Sequence, residues 1–462
     1  MIAAAPAVSP ILRPYQTECI AAIRRTFAQW RRVLFILATG GGKTVIVAYI
    51  ALHAAAKRNR VLILAHRQEI ADQISAALTA MGVAHGGIHS EYAMTADLVQ
   101  VGMVQTVARH LDVIPEPALL VIDECHHSVS NTYAKIVAAW PNAKVLGVTA
   151  TPERLDGAGL GEMFDQMVLG PDVRELIDAG FLAPFRYLAP STAIELSQVR
   201  SIGGDFNSAD LERALDQDGI TGDVVGHYLK YLVGRTAIAF CVTVAHTEHV
   251  AMQFRDNGIP AASIDGTMSA GQRHALVTKL RDGDIRVLTS CEIISEGFDA
   301  PAVGGAILLR PTQSLALYRQ QVGRCLRRKP DGSAAVIIDH VGNVFRHGLP
   351  DAPHEWSLDS KKRTQAERQQ AAVGRRMCKA CGEVVATGAA VIAPPIVVPG
   401  ILDEIDQMPG WAGGIDIRGA RGREWYELIR RADRQPERLR TIQVMRGFKS
   451  GWLFYAARAG AA

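Results

Sequence analysis

Three groups of residues in this 462-residue chain could together perform nucleotide chemistry. The first, Ala38-Thr39-Gly40-Gly41-Gly42-Lys43-Thr44, contains three consecutive glycines that let the backbone turn tightly and aim successive N–H groups at phosphate oxygens. Lys43 is spaced to reach the outer phosphates, and the Thr44 hydroxyl to bind magnesium. The second group is Asp123-Glu124-Cys125-His126. Here Asp123 can hold magnesium through water while Glu124 orients and deprotonates an attacking water. The third is Gln320-Gln321-Val322-Gly323-Arg324 followed by Arg327, whose spacings of three and four put Gln320, Arg324 and Arg327 on one face of an expected helix. A phosphate cradle, a metal-and-water site and an arginine clamp are what a nucleotide hydrolase needs, and they occur in that order.

Each group needs an element to hold it. Val33-Leu34-Phe35-Ile36-Leu37 has the length and branching of a buried parallel strand and runs into the cradle; Thr44 to Lys57 then reads as a helix whose positive N-terminal end faces the phosphates. Leu119-Leu120-Val121-Ile122 is a second such strand with Asp123 and Glu124 at its carboxyl end, where open α/β sheets place their chemistry. A third, Val145 to Val148, ends in Thr149-Ala150-Thr151-Pro152, hydroxyl residues placed to relay the nucleotide's state. Further on, Ala237–Cys241, Ile285–Thr289, Gly305–Leu309 and Ala335–Asp339 are strand-like runs separated by helical stretches. The expected fold is therefore α/β, with two tandem doubly wound parallel-sheet domains and a small, mostly helical, basic C-terminal region. The boundaries read as 1–175, 176–345 with a loosely helical insert at about 191–230, and 346–462. Gly180-Phe181-Leu182-Ala183-Pro184 begins the crossing between domains.

Composition narrows the class. With 48% hydrophobic and 21% charged residues the chain can bury large cores, and no apolar run reaches the roughly eighteen residues a spanning helix needs. The first residues lack the basic start and long apolar core of a secretory signal, so a soluble cytoplasmic protein with no membrane partner is expected. Seven scattered cysteines argue against a disulfide framework. The net charge of +4 is unevenly distributed: residues 1–345 carry 31 Lys and Arg against 33 Asp and Glu, whereas 346–462 carry 19 against 13. A basic tail of this kind meets a polyanion or forms a solvated charged face, and charge alone does not choose.

With these residues in order, the chain resembles the superfamily 2 DNA helicases of the DExH type, and most closely their RadD-like bacterial and prophage group. The matching segments run from Gln16 through Ala38 to Thr44, Leu64-Ala65-His66-Arg67-Gln68-Glu69, Gln105-Thr106, Asp123 to His126, Thr149 to Pro152 and Ser295-Glu296-Gly297-Phe298-Asp299 to Gln320–Arg327. They span about three quarters of the chain. The resemblance implies two RecA-like domains with ATP and Mg2+ between them and a nucleic-acid strand crossing both. It implies that Gln16 reads adenine and that Thr39, Gly40, Gly41, Gly42, Lys43 and Thr44 hold the phosphates. Gly297 and Asp299 would approach ATP from the second domain, and Arg324 and Arg327 would enter as arginine fingers. His126, Thr149 and Thr151 would couple the nucleotide to the second domain, and Arg67 and Thr106 would meet backbone phosphates of the strand. Two positions depart from the pattern: Leu37 stands where an ordinary P-loop has its first glycine, and Cys291 where the later motif usually has threonine.

The tail contains Cys378-Lys379-Ala380-Cys381, the form of half a zinc knuckle. Structural zinc needs four ligands, and no cysteine follows Cys381, so two ordinary thiols are expected in preference to a metal site. Helices are expected around Glu424–Ala432 and Pro436–Met445, before the aromatic and basic Gly447-Phe448-Lys449-Ser450-Gly451-Trp452. The function expected is an ATP-dependent DNA helicase or translocase acting on single-stranded or forked DNA, with repair, recombination or defence proteins as partners. The alternatives are the motor of a restriction or anti-phage complex, an RNA helicase, and a nucleotide-gated DNA clamp.

Overall fold

Short runs of branched aliphatic residues become strands here because both faces of each sheet are covered. The computed structural model describes residues 12–89, 94–125, 131–152, 159–190, 196, 199–202, 205–215, 224–291 and 303–359, with short strands at 376–377, 384–385 and 402–405. The first sheet comprises β1 (Arg32–Ile36), β2 (Val61–Ala65), β3 (His85–Ile88), β4 (Val99–Met103), β5 (Leu119–Asp123), β6 (Lys144–Thr149) and β7 (Gln166–Leu169). They lie in the order β3-β4-β2-β5-β6-β1-β7, and every pairing is parallel. Along β1, Val33 and Phe35 enter one core while Leu34 and Ile36 enter another on the opposite face. That alternation explains the unbroken apolar run, since a two-sided strand has no solvent face to keep polar.

Helices α1 (Pro14–Phe27), α2 (Lys43–Ala56), α3 (Gln68–Ala80), α4 (Val104–Val107) and α5 (Asn131–Ala139) belong to this first unit, and α6 (Val173–Asp178) follows it. Proline at the first position of α1 suits a helix start, because its missing N–H would be unpaired there anyway. At α2 the cap is Gly42, whose φ of +84° favours a residue without a Cβ.

The second sheet has β8 (Phe185–Pro190), β11 (Ala237–Phe240), β12 (Ala261–Ile264), β13 (Val287–Ser290), β14 (Gly305–Leu308), β15 (Ala335–Asp339) and β18 (Leu402–Ile405). Its order is β12-β13-β11-β14-β15-β8-β18, parallel except for β18, which runs antiparallel to β8. Ile238 and Phe240 enter one of its cores and Ala237 and Ala239 the other. The expectation of two doubly wound parallel sheets is therefore met. The helices of this part are α7 (Ser208–Leu215), α8 (Val224–Tyr231), α9 (Val244–Asp256), α10 (Ala270–Asp282), α11 (Leu315–Gly323) and α12 (Asn343–His347).

The insert expected to be loosely helical is mixed. Among its described residues the antiparallel pair β9 (Ser201–Ile202) and β10 (Asp205–Phe206) precedes α7. Asp205 anchors that hairpin, accepting hydrogen bonds from Thr312 Oγ1 at 2.9 Å and the Gln313 amide at 2.7 Å. Those partners sit far along the chain, so the pairing left no local sign. In the C-terminal part, β16 (Arg376–Met377) pairs with β17 (Val384–Val385), and β18 returns to the second sheet; the helices expected around 424–432 and 436–445 lie outside the described residues.

Candidate active site

Strand order brings the first two chemical groups together. β6 lies between β1 and β5, so the turn after β1, the acids at the end of β5 and Thr149-Ala150-Thr151 at the end of β6 meet at the carboxyl ends of adjacent strands. A cleft of about 370 Å³ opens there, lined by Thr39, Gly40, Gly42, Lys43, Thr44, Asp123 and Glu124 from the first unit and by Gln320, Arg324 and Arg327 from the second. This volume lies in the range of ordinary small-ligand sites.

Local physics supports the same use. Gly40 and Gly42 both have positive φ, and a Cβ on Gly42 would come within 2.5 Å of Gln16 Nε2. Lys43 Nζ rests on the Leu37 carbonyl at 3.4 Å. Leu37 itself, at the position expected to trouble an ordinary P-loop, is fully buried in the first core. Glu124 has φ +46°, a left-handed conformation uncommon outside glycine, and its amide donates to Asp123 Oδ1 at 3.0 Å. Burial first, and then the neighbouring charge of Glu124, push the Asp123 carboxyl up to about 6, with Lys43 opposing. Two neighbouring acids, half-buried at the cleft, are what a divalent cation would relieve.

Thr39 Oγ1 and Gln320 Nε2 are buried at this cleft without a hydrogen-bond partner among the described residues. Such groups are costly unless a ligand supplies the partner. The cradle, the orphaned atoms and the acid pair together fit a nucleoside triphosphate with magnesium, which Lys43, Thr44 and Asp123 are placed to hold.

The arginine group is corrected in one respect. Gln320, Arg324 and Arg327 do not share a helix face: α11 ends at Gly323, Arg324 caps it, and Arg327 forms an isolated antiparallel bridge with Leu182. The Ala183 amide donates to the Leu326 carbonyl at 2.8 Å, so this backbone is drawn out of the helix by the crossing segment. All three side chains reach the cleft nonetheless.

Gln16 sits differently from expectation. It is buried, its Oε1 accepts from the Arg13 amide at 2.9 Å, and its Nε2 points to the Gly41 carbonyl at 3.5 Å, so it lies behind the cradle and does not line the cleft. The lining groups nearby are Arg13 and Phe181, with the guanidinium 5.0 Å from the ring centroid. Tyr15 completes this cluster, 5.0 Å from Phe181 and donating to the Gly41 carbonyl at 2.7 Å. Sequence reasoning passed over Arg13 and Phe181; Arg13 beside Gln16 was the available signal, whereas Phe181 gave none.

Thr149 and Thr151 are buried and tied to each other, Thr149 Oγ1 donating to the Thr151 carbonyl at 2.8 Å. Arg67 caps α3 after β2, and Thr106 lies in α4 after β4, at the carboxyl ends of two paired strands and away from the cleft lining. His126, Gly297, Asp299, Cys378 and Cys381 lie outside the described residues. Among the described residues, no cluster of three or more His, Cys, Asp or Glu could hold a metal, and no helix is long and apolar enough to cross a membrane.

Family models match two stretches of the chain, one described as Type III restriction enzyme, res subunit, over residues 9–154, the other as Helicase conserved C-terminal domain, over residues 223–329. A 51.5 kDa protein of a Lactococcus phage (isolate 7-9) is 36% identical over 343 residues, covering 74% of this chain and 73% of that protein. A Saccharomyces cerevisiae protein named "Putative ATP-dependent helicase IRC3" is 31% identical over 372 residues, 75% of this chain but 53% of the yeast protein, so the chain spans about half of that relative. Among solved structures, the ATP-dependent Type ISP restriction-modification enzyme LlaBIII bound to DNA is similar with a TM-score of 0.54 at 18% identity, over 71% of this chain and 27% of that one, a likeness of fold.

Proposed function

Starting from the premise that the chain belongs to the superfamily 2 helicases and is an ATP-hydrolysing motor, we propose that it is a RadD-like DNA helicase or translocase. The observation that carries this reading is the convergence on one cleft of Lys43, Thr44, Asp123 and Glu124 from the first sheet with Gln320, Arg324 and Arg327 from the second. A site split between two units can turn a change in the bound nucleotide into a change in their spacing.

In this reading the backbone of Thr39 to Gly42 and the Lys43 ammonium hold the phosphates. Thr44 and Asp123 hold magnesium, which when bound shields the phosphate charge. Glu124 takes a proton from the attacking water; Arg324 and Arg327 stabilise the charge that builds on the transferring group. Gln320 Nε2 donates to a phosphate oxygen, which accounts for its unpaired burial. Gln16 acts through Arg13 and the cradle, and Arg13 with Phe181 faces the base. Thr149 and Thr151, between the cradle and the acids, relay the state of the site. Gly297, Asp299 and His126 keep the roles that the resemblance gives them, and the chain divides near residues 175 and 345.

Arg67 and Thr106, at neighbouring strand ends, would meet strand phosphates. The basic tail, with 19 Lys and Arg against 13 acids over 346–462, supports a polyanion track. A second reading, the motor of a restriction complex acting with a nuclease partner, is favoured by the res-subunit description of the model that matches residues 9–154. Steady-state ATP hydrolysis by the wild type and Glu124→Gln, with no nucleic acid, single-stranded DNA, duplex DNA or RNA, tests the proposal. Stimulation by DNA that vanishes in the variant supports it. Stimulation by RNA alone moves the track to RNA, and indifference to every nucleic acid overturns the proposal and favours a partner-gated motor.

A further inference from the structure

We propose that residues 350–359 form a strap that couples helix α11 to the first unit, and that Arg319 is a positioning residue for the cleft through it. The catalytic half of this inference rests on the ATP-site reading above; the mechanical half does not.

The segment leaving the second unit does not depart from the molecule. At its start Asp351 is buried and ion-paired with Arg174 of α6. Next, Arg319 of α11 grips it: Nη2 donates to the Ala352 carbonyl at 3.0 Å and lies 3.0 Å from His354 Nδ1, and the guanidinium lies 5.2 Å from the Trp356 ring centroid. Trp356 packs against a core of the second sheet and also against a core of the first. At the far end the Leu358 carbonyl accepts from the Gly161 amide at 2.9 Å, and the Leu358 side chain packs on the first-sheet core that contains Leu160, Met163 and Phe164. Gly161 permits this approach, because a Cβ there would lie 3.2 Å from the Leu358 oxygen.

Arg319 directly precedes Gln320, and α11 delivers Gln320 and Arg324 to the cleft. Any sliding of the first unit at residues 160–164 therefore pulls on the helix that carries the clamp. A loose surface cover would need neither backbone hydrogen bonds at both ends nor an indole shared by two cores. The strap is also the stretch of chain that leads from the second unit into the basic segment that starts at residue 360, so an event on that segment has a route to α11.

Hydrogen exchange over residues 159–164 and 315–323, in the full chain without nucleotide, tests the coupling. Leu358→Ala removes packing at the first-unit end and leaves Arg319 and its partners Ala352, His354 and Trp356 unsubstituted; it should raise exchange at 315–323. Reciprocally, Arg319→Ala should raise exchange at 159–164. Leu358→Val serves where Leu358→Ala fails to fold. If each substitution loosens only its own end, the strap is a passive cover and the proposal is overturned. For the positioning role, both variants should lower kcat by roughly 10- to 100-fold with nucleotide affinity unchanged, and Arg319→Lys should recover part of the loss. Wild-type turnover in variants whose exchange has changed overturns that role. A wild type that hydrolyses no ATP condemns the ATP-site reading instead, and exchange still decides the strap.

Discussion

Gly323 and Thr39 meet across the cleft so closely that a Cβ built on Gly323 would lie 2.6 Å from the Thr39 Cβ. One residue ends the helix that carries Gln320, and the other begins the phosphate cradle. The approach of the two units is thus limited by a single missing methyl group, on a glycine whose backbone is helical and needs no special freedom.

Gly323→Ala should hold the cleft ajar. Neither the helix nor the sheet below it is strained by alanine, so thermal stability should stay near that of the wild type. Misplacement of the clamp by about 1 Å should lower kcat by on the order of 10²-fold. Turnover together with an equilibrium nucleotide titration separates the effects: kcat falls and affinity for the cradle persists. Wild-type kcat would mean that the units do not need to come this close.

Gln320→Met asks whether a buried amide is there for the fold or for a ligand. Nε2 has no partner among the described residues, so removing it relieves an unsatisfied group worth about 1–3 kcal/mol. Stability should hold or rise, whereas turnover should fall by about 10²- to 10³-fold if the amide donates to developing charge. Loss of stability with unchanged turnover would assign Gln320 to packing.

Much of this site was readable because its parts are local. The runs at β1, β5 and β6 need cover on both faces, and that requirement writes itself as uninterrupted apolar sequence. The cradle follows from glycines beside lysine and threonine. What escaped is long-range. The end of α11 at Gly323 depends on the bridge between Leu182 and Arg327, and Gln16 is claimed by Arg13 and Gly41 before it can reach the cleft. Phe181 joins the lining, and Trp356 reaches two cores, through contacts that no periodicity encodes.

Gly42→Ala tests how Gln16 serves the cradle. Alanine at φ +84° costs roughly 1–2 kcal/mol of backbone strain, and its Cβ would also meet Gln16 Nε2 at 2.5 Å. The single variant should lose nucleotide binding. Adding Gln16→Ala removes the clash and leaves the strain, so affinity should return only in part. Full recovery would show that the backbone conformation at Gly42 is dispensable, and no recovery that strain alone decides. Isothermal titration with a slowly hydrolysed nucleotide reads all three cases.

Acid should weaken the second unit before it weakens the first. Burial, with help from neighbouring His227, pushes His340 down to about 3; burial, with the Thr312 carbonyl opposing and Arg346 adding, pushes His347 down to about 4. Both therefore stay neutral in the folded chain while the unfolded chain takes up protons below its ordinary value of 6.5. The unfolded state binds more protons in that window, so stability falls as pH drops from about 6.5 toward 4, and the loss levels off only below the folded values. Near pH 5 each histidine should cost on the order of 2 kcal/mol. Denaturant unfolding followed at neutral pH and near pH 5 measures the loss, and His340→Leu should remove about half of it. An equal loss in wild type and variant would place the acid sensitivity elsewhere.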